Sequence, residues 1–425
     1  MKVNLVIPPN PYLGDDKRNP PLGLLYLGAV AEKEGYDVCM TDLRSRKLED
    51  FSKYIIDADV YGITASTPDY PLAVEIAKIA KLKTPKSLTV LGGIHATALP
   101  NLVDSSFDKI VVGEGENAFL KLLNDFCECR LTDRIYSSHL IRDLDSIPYP
   151  AWHLLPFNSV FSKNAFQAGA DEYAGTIITS RGCASKCSFC ASDAMWSRRV
   201  RFRSANNVVG ELKGIIENYG VKNFRFQDDT MTLKRDRLEE LCKKIGPLGI
   251  KWRATTRVDQ ADIERLTWMR NSGCEELGYG VESLSQEVLD KHSKMINLDQ
   301  VYRALENTEQ LGMKSRLFLI IGLPGEPPGF SSRLEEFLKK ANPDGVDVST
   351  LVPYPGSDIY HNPKKYGIKL KEHDFSRYHM TLGLRDHEAE RPLTFIHDVL
   401  SEEEIIEERR KSLEIVKRRK MIKNF

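Results

Sequence analysis

Three cysteines crowd into eight residues of this chain, in the segment Thr179-Ser-Arg-Gly-Cys183-Ala-Ser-Lys-Cys187-Ser-Phe-Cys190. Spacings of three and two residues let three thiolates wrap one face of a cubane iron–sulfur cluster, each on its own iron. The fourth iron then has no protein ligand in the segment, and an open position is what catalysis at a metal centre requires. A structural zinc site is the plainer alternative, but it wants four N or S ligands, usually as two close pairs, and no fourth Cys or His lies nearby. A chance group of inert thiols is the other alternative. Such crowding is not how a disulfide framework is distributed, and in a reducing compartment it points to metal or redox chemistry. Cys39, Cys127, Cys129, Cys242 and Cys274 are scattered through apolar or helical-looking segments and read as ordinary thiols.

The elements that must position these thiols alternate β and α along the chain. In the first 130 residues or so, β-rich runs predict strands at Lys2–Ile7, Asp37–Asp42, Val60–Thr64, Ser87–Leu91 and Lys109–Val112. Helical periods fall between them at Leu22–Glu34, Leu48–Ile56, Tyr70–Lys81 and Glu116–Cys127. This rhythm predicts a doubly wound, Rossmann-like α/β domain over residues 1–135, with ligands at the strand carboxyl ends. Residues 136–170, with prolines in Ile147-Pro-Tyr-Pro150, read as a linker.

A second alternation then predicts strands at Gly175–Thr179, Asn223–Gln227, Lys251–Thr255, Glu276–Gly280, Ser315–Ile321 and Gly345–Leu351. Helices are expected at Asn206–Asn218, Lys234–Lys244, Ile263–Ser272, Gln286–His292 and Leu298–Leu311. Six βα units over residues 171–360 fit a partial (β/α)6 barrel better than a closed eightfold one, with reacting groups where strands end. Residues 361–425 form a short helical C-terminal region with a charged helix at Ser401–Lys420. His373, His379, His387 and His397 lack tight ligand spacing and read as structural.

Sixty basic residues balance sixty acidic ones. This balance gives no global reason to expect nucleic acid or an anionic membrane as a partner. Apolar stretches such as Leu22–Val30 are too short to span a bilayer, and MKVNLVIPP does not have the build of a signal peptide. A soluble, cytoplasmic protein is the expectation.

C-x-x-x-C-x-aromatic-C after the first strand of a βα barrel resembles the signature of the radical S-adenosylmethionine (SAM) superfamily, and the likeness spans about residues 170–360. It implies a [4Fe-4S] cluster on Cys183, Cys187 and Cys190 whose open iron chelates SAM. One electron would then split the sulfonium C–S bond, and a 5′-deoxyadenosyl radical would take hydrogen from the substrate. Phe189 would pack near the adenine, where the plain reading is a core aromatic. Other SAM contacts implied by the resemblance follow successive strands. They are Gln227 and Asp228 in Gln227-Asp-Asp-Thr230, Arg257, Gly280 and Glu282 in Gly280-Val-Glu-Ser283, and Gly322 and Pro324 in Gly322-Leu-Pro-Gly-Glu326. An Arg meets a carboxylate bidentately and an acid suits ribose hydroxyls or an ammonium. Taken singly, each reads as well as a surface ion pair or helix cap.

The first domain carries Leu91-Gly-Gly-Ile-His-Ala-Thr97 and Val111-Val-Gly-Glu-Gly-Glu116. With Pro8-Pro9, Pro20-Pro-Leu-Gly23 and Asp143-Leu-Asp-Ser-Ile-Pro-Tyr-Pro150, the ordered set resembles the cobalamin-binding domains fused to class B radical SAM proteins, over about residues 1–155. The resemblance implies a cobalamin site built from four strand ends. Pro9 would follow the first strand, and Thr64 and Ser66 the third. Gly92, Gly93, His95 and Ala96 would follow the fourth, and Gly113, Glu114 and Gly115 the fifth. The D-x-H-x-x-G motif of methionine-synthase-like domains is missing here, so His95 is expected to line the corrin or nucleotide-tail pocket without ligating cobalt. The alternatives are a degenerate domain that only scaffolds the barrel and a histidine satisfied by its own loop.

Together the two resemblances imply methylation of an unactivated carbon, or of phosphorus, in a small-molecule or natural-product substrate. Methylcobalamin would deliver the methyl group and a second SAM would restore it. An electron donor such as flavodoxin or ferredoxin is the implied partner. The rivals are cyclisation, ring contraction or oxidation with the same cofactors, a methylthiotransferase, and a non-catalytic iron–sulfur or cobalamin sensor.

Overall fold

The computed structural model describes residues 1–10, 12–13, 15–163, 172–371, 374–379 and 393–423. The chain forms two compact units. The first is Met1–Ala165 together with Ala191–Ser197 and Asp374–His379, and the second holds the remainder.

The first unit is built on six strands: β1 (Lys2–Ile7), β2 (Asp37–Asp42), β3 (Val60–Thr64), β4 (Leu88–Gly92), β5 (Lys109–Val112) and β6 (Ile135–Ser137). Their order is β2-β1-β3-β4-β5-β6, all parallel. Such a sheet is covered on both faces, so its central strands are continuous apolar runs. Val3, Leu5, Val6, Ile63 and Leu91 are accordingly buried. The order reverses between β1 and β3, which makes their carboxyl ends the ligand crevice of a doubly wound sheet.

The first unit differs from the sequence expectation in several details, among them short helices at Ile94–Ala98 and Phe157–Val160. Strand β6 is additional, because of its three residues only Tyr136 is buried and no period shows. The segment expected as one helix at Leu48–Ile56 is a 3-10 turn, Leu48–Asp50, followed by a single helical turn, Phe51–Tyr54. Phe51 is its lone buried residue, too little apolar surface to hold a longer helix.

In the second unit, β7 (Ala174–Ile177) leads into a short antiparallel pair, β8 (Ser180–Arg181) and β9 (Arg201–Phe202), which brackets the cysteine loop. There follow β10 (Asn223–Phe226), β11 (Lys251–Thr256), β12 (Cys274–Glu282), β13 (Lys314–Ile321) and β14 (Gly345–Thr350). The large sheet runs β7-β10-β11-β12-β13-β14 in sequence order and all its pairs are parallel. With β7 and β14 as its two edges, it is an open, partial barrel. Helices Ala205–Tyr219, Arg235–Ile245, Ile263–Asn271, Leu298–Gln310 and Phe330–Lys340 cross between strands. The last is absent from the sequence expectation. It starts directly after Pro327-Pro-Gly329, which reads as loop, and buries Phe330, Leu334 and Phe337 at helical spacing.

Alternate residues of this sheet, among them Phe224, Trp252, Leu277, Tyr279 and Leu317, are wholly buried. Tyr279 Oη pairs with Thr308 at 2.6 Å and Trp252 Nε1 donates to the Ser272 carbonyl at 2.9 Å, which locks the sheet to its helices. The intervening residues form a charged row. Arg225 donates to Thr176 at 2.9 Å, Arg253 and Arg316 share Glu276 at 3.4 and 3.7 Å, and Arg316 also pairs with Asp347.

Beyond the barrel, β15 (Ile368–Leu370) pairs antiparallel with β16 (Phe395–His397), and a helix runs Glu402–Lys423. His397 is buried and its Nδ1 accepts from the amides of Val399 and Leu400 at 3.0 Å, a structural role. His379 stacks on Tyr12 within the first unit, centroids 4.2 Å apart. His373 and His387 lie outside the described residues. Among the described residues no helix is long and apolar enough to cross a membrane.

Candidate active site

The cysteine loop leaves β8 and is braced at its start, middle and end. At the start stands Asp228, at the end of β10, with 3% of its surface exposed. It accepts from the Thr179 amide at 3.1 Å, from Thr179 Oγ1 at 2.9 Å and from Ser180 Oγ. Burial raises its pKa, which these hydroxyls and Arg237 oppose. Asp228 therefore faces into the protein, whereas its neighbours Gln227 and Asp229 are exposed at the strand end. At the middle, Arg257 donates to Ser185 Oγ at 3.1 Å and to the carbonyls of Lys294 and Met295 at 3.0 and 3.1 Å. Asp259 holds the same guanidinium at 2.8 Å. At the end, Ser188 gives its amide to the His292 carbonyl at 3.2 Å and takes the Ile359 amide at 2.9 Å.

None of the three cysteines is in a disulfide; Cys183 and Cys187 are half-buried and Cys190 is exposed. Cys183 Sγ lies 3.7 Å from Thr230 Oγ1, and Cys187 Sγ faces the Ser293 carbonyl at 3.9 Å. Burial raises the Cys187 pKa, while Lys294 and Arg257 pull the other way. Among the described residues no three His, Cys, Asp or Glu side chains gather as ligands of one metal ion. Thiolates on a cubane each take a separate iron, so the donor set of this loop suits a four-iron cluster. Cys242 and Cys274 are buried in the core, where burial pushes the Cys242 thiol up to about 11 and that of Cys274 well above its ordinary value.

Glu282 adopts φ 74°, a left-handed conformation rare outside glycine, and pairs with Lys294 at 2.8 Å. Gly280 makes room for that pair: a Cβ there would come 2.6 Å from Glu282 Oε1 and 3.1 Å from Lys294 Nζ. Ser283 donates to buried Glu326 at 2.8 Å, and Arg333 holds the other carboxylate oxygen at 2.6 Å, so the Gly280–Ser283 and Gly322–Glu326 loops are tied together. Gly322 packs against the C-terminal helix, its absent Cβ 3.4 Å from Ile405. The Pro324 carbonyl meets His292 Nε2 at 2.9 Å, and the Phe189 ring is half-buried, 6.2 Å from that of His292. Thr230, Lys294 and His292 are not among the residues expected from sequence. Thr230 sits inside the Gln227–Thr230 motif and could have been flagged. Lys294 and His292 follow a helix and carry no local signal.

In the first unit the expected residues lie at strand carboxyl ends. Thr97 Oγ1 donates to the Gly93 carbonyl at 2.9 Å and accepts from the Gly113 amide at 3.0 Å, which fastens the β4 loop to the β5 loop. Gly93 has φ 93°, and a Cβ there would lie 2.8 Å from the Ala65 carbonyl. Around Gly92 and Gly113, by contrast, a Cβ would meet nothing within 4 Å. His95 is fully buried, with Nδ1 3.3 Å from Thr67 Oγ1 and its ring stacked on Tyr70 at 3.9 Å. Phe375 packs edge-on to the same ring at 4.8 Å. Burial lowers the His95 pKa to about 4 and raises that of Asp69, held by Ser66 Oγ at 2.5 Å, to about 6. His95 Nε2 and Asp69 Oδ1 are buried and find no hydrogen-bond partner among the described residues. Glu114 is turned inward and accepts from the Ile141 amide at 2.7 Å, while Ala96 is buried. Open space beside two glycines and two orphaned polar atoms at the strand ends fit a polar cofactor such as cobalamin.

Residues 177–341 match the family model of the radical SAM superfamily, and residues 17–123 match that of the B12 binding domain. The chain is 32% identical over 388 residues to an uncharacterized methyltransferase of Pyrococcus horikoshii, covering 85% of this chain and 82% of that protein. It is 27% identical to the cytidylyl-2-hydroxyethylphosphonate methyltransferase of Streptomyces wedmorensis, covering 85% and 80%. It is 29% identical to the anaerobic magnesium-protoporphyrin IX monomethyl ester cyclase of Rubrivivax gelatinosus, covering 87% and 70%. Among solved structures, the radical SAM methyltransferase TsrM from Kitasatospora setae, with cobalamin and a [4Fe-4S] cluster bound, superposes with TM-score 0.69 at 18% identity. That likeness of fold covers 88% of this chain and 78% of the other.

Proposed function

The chain belongs to the cobalamin-dependent radical SAM methyltransferase family, and we propose that it methylates an unactivated carbon, or a phosphorus, of a small-molecule substrate. When bound, the cluster supplies the electron that cleaves SAM, and cobalamin supplies the methyl carrier. The residues of this chain hold and aim these groups. Cys183, Cys187 and Cys190 hold the cluster. Arg257 fixes Ser185 of the cysteine loop and, with the Glu282–Lys294 pair, lends charge for the amino-acid end of SAM. Gln227 offers polar contact from the end of β10, and Asp228 holds the loop from behind. Gly280, Gly322 and Pro324 let backbone approach the adenosine, with Phe189 beside it. Pro9, Thr64, Ser66, Gly92, Gly93, Gly113 and Gly115 form the rim for cobalamin, and His95, Ala96 and Glu114 support that rim from within. The row of charges from Arg225 to Asp347 favours a polar substrate. Electrons would come from a flavodoxin- or ferredoxin-like donor.

The observation that carries this reading is a loop of three thiols at the end of the first barrel strand, braced from the ends of several others. Anaerobic reconstitution with iron, sulfide, cobalamin and SAM should yield both 5′-deoxyadenosine and S-adenosylhomocysteine, and the Cys183→Ala, Cys187→Ala, Cys190→Ala triple variant neither. Deoxyadenosine without S-adenosylhomocysteine would favour the second reading, radical cyclisation, which the likeness to the Rubrivivax cyclase supports. A loaded cluster that cleaves no SAM would sink both.

A further inference from the structure

We propose that His292 is a positioning residue that fixes the cysteine loop and the Gly322–Glu326 loop against one another, an inference that rests on the functional reading above. His292 ends the helix Gln286–Lys291 and is buried, with 1% of its surface exposed. Its Nε2 lies 2.9 Å from the Pro324 carbonyl and its Nδ1 lies 2.6 Å from Ser188 Oγ. A carbonyl oxygen can only accept, so Nε2 carries the proton and donates. Nδ1 therefore keeps its lone pair and accepts from the serine hydroxyl. One neutral tautomer satisfies both partners.

The backbone adds a third tie, since the His292 carbonyl accepts the Ser188 amide at 3.2 Å. A residue 104 positions away thus engages both donors of Ser188, which lies between Cys187 and Cys190. Pro324 stands between Gly322 at φ 82° and Gly325 at φ 91°. A loop with two glycines in the left-handed region is pliant and needs an outside tie to hold one shape. The His292 ring itself is stacked on Tyr366, centroids 5.6 Å apart and planes 17° from parallel. Both ring nitrogens thus go to two separate site loops.

The two halves of the strut separate by substitution in the full-length, anaerobically reconstituted protein. His292→Gln can still donate towards Pro324 and loses the acceptor for Ser188. We expect normal iron and sulfide content but an altered electron paramagnetic resonance spectrum of the reduced cluster, reproduced by Ser188→Ala. His292→Asn places an acceptor near Ser188 and loses the bond to Pro324. Its spectrum should stay near wild type, while the SAM concentration that half-converts the signal rises about tenfold, as loss of one buried hydrogen bond predicts. Melting of the apoprotein, followed alongside, reads stability alone. Variants that melt lower but keep the wild-type spectrum and SAM midpoint would overturn the proposal and leave the functional reading intact. A wild-type chain that takes up no four-iron cluster would overturn both.

Discussion

Asp228 is buried and Asp69 half-buried, both carboxylates beside strand ends with opposite hydrogen-bonding fortunes. Asp228 Oδ1 takes three donors from Thr179 and Ser180 and Oδ2 faces the Thr179 amide at 3.3 Å, so Asp228→Asn sets an NH2 against that amide and removes the charge facing Arg237. A cost of about 1–3 kcal/mol is expected, together with reduced cluster loading, measured by thermal melting and iron content. An unchanged melt with a raised KM for SAM would instead make Asp228 a direct SAM contact. Asp69 has one oxygen with no partner among the described residues and a pKa near 6 through burial. Unfolded aspartate titrates near 3.9, so between about pH 4 and 6 the folded state binds more protons and stability falls as pH rises. Above pH 6 the full penalty, up to roughly 3 kcal/mol, is in place. His95, lowered to about 4, works the other way and loses stability as pH falls from about 6.5 through 4. Asp69→Asn keeps an acceptor for Ser66 and removes only the carboxylate's penalty. It should stabilise the apoprotein by about 1–2 kcal/mol at pH 7.5 and not at pH 4, as denaturant titrations at the two pH values would read.

At the scale of elements, the β4 carboxyl end offers two adjacent glycines with different duties. Gly93→Ala forces a side chain into φ 93°, 2.8 Å from the Ala65 carbonyl, and should cost about 1–3 kcal/mol or more in unfolding free energy. Gly92→Ala meets nothing within 4 Å and should alter stability by less than about 0.5 kcal/mol. Its methyl enters the open rim, so it should weaken cobalamin binding in an absorbance titration. Strands such as Lys2–Ile7 and Asp37–Asp42 were legible as β-rich runs and lie where expected. Strand β6 was not legible, since one buried residue in three makes no period. The helix Phe330–Lys340 has a clear helical stripe, but a proline–glycine run directly ahead of it reads as loop and hides its start.

For the molecule as a whole, cofactor binding and folding are linked. A ligand that binds only the native state, present at a hundred times its Kd, adds about 2.7 kcal/mol, worth several degrees in a chain of this size. Cobalamin added to the apoprotein should therefore raise its melting temperature on its own. SAM should do so only after the cluster has been reconstituted, because the proposed function anchors SAM on the cluster. A SAM shift of equal size without iron would contradict cluster-dependent binding.

The sequence by itself determined the two βα alternations and a trio of thiols at a strand end, because strand runs and loop spacings are local properties of consecutive residues. It also placed glycines at the carboxyl ends of β4 and β5. Only the tertiary structure decided which neighbour of a motif turns inward, Asp228 and not Asp229, and that Gly280 leaves room for an ion pair. His292 and Ser293 come to the cysteine loop from about a hundred residues along the chain, and Lys294 sets its charge near Cys187. Their partners are set by packing between elements, and no local pattern of residues encodes such a contact.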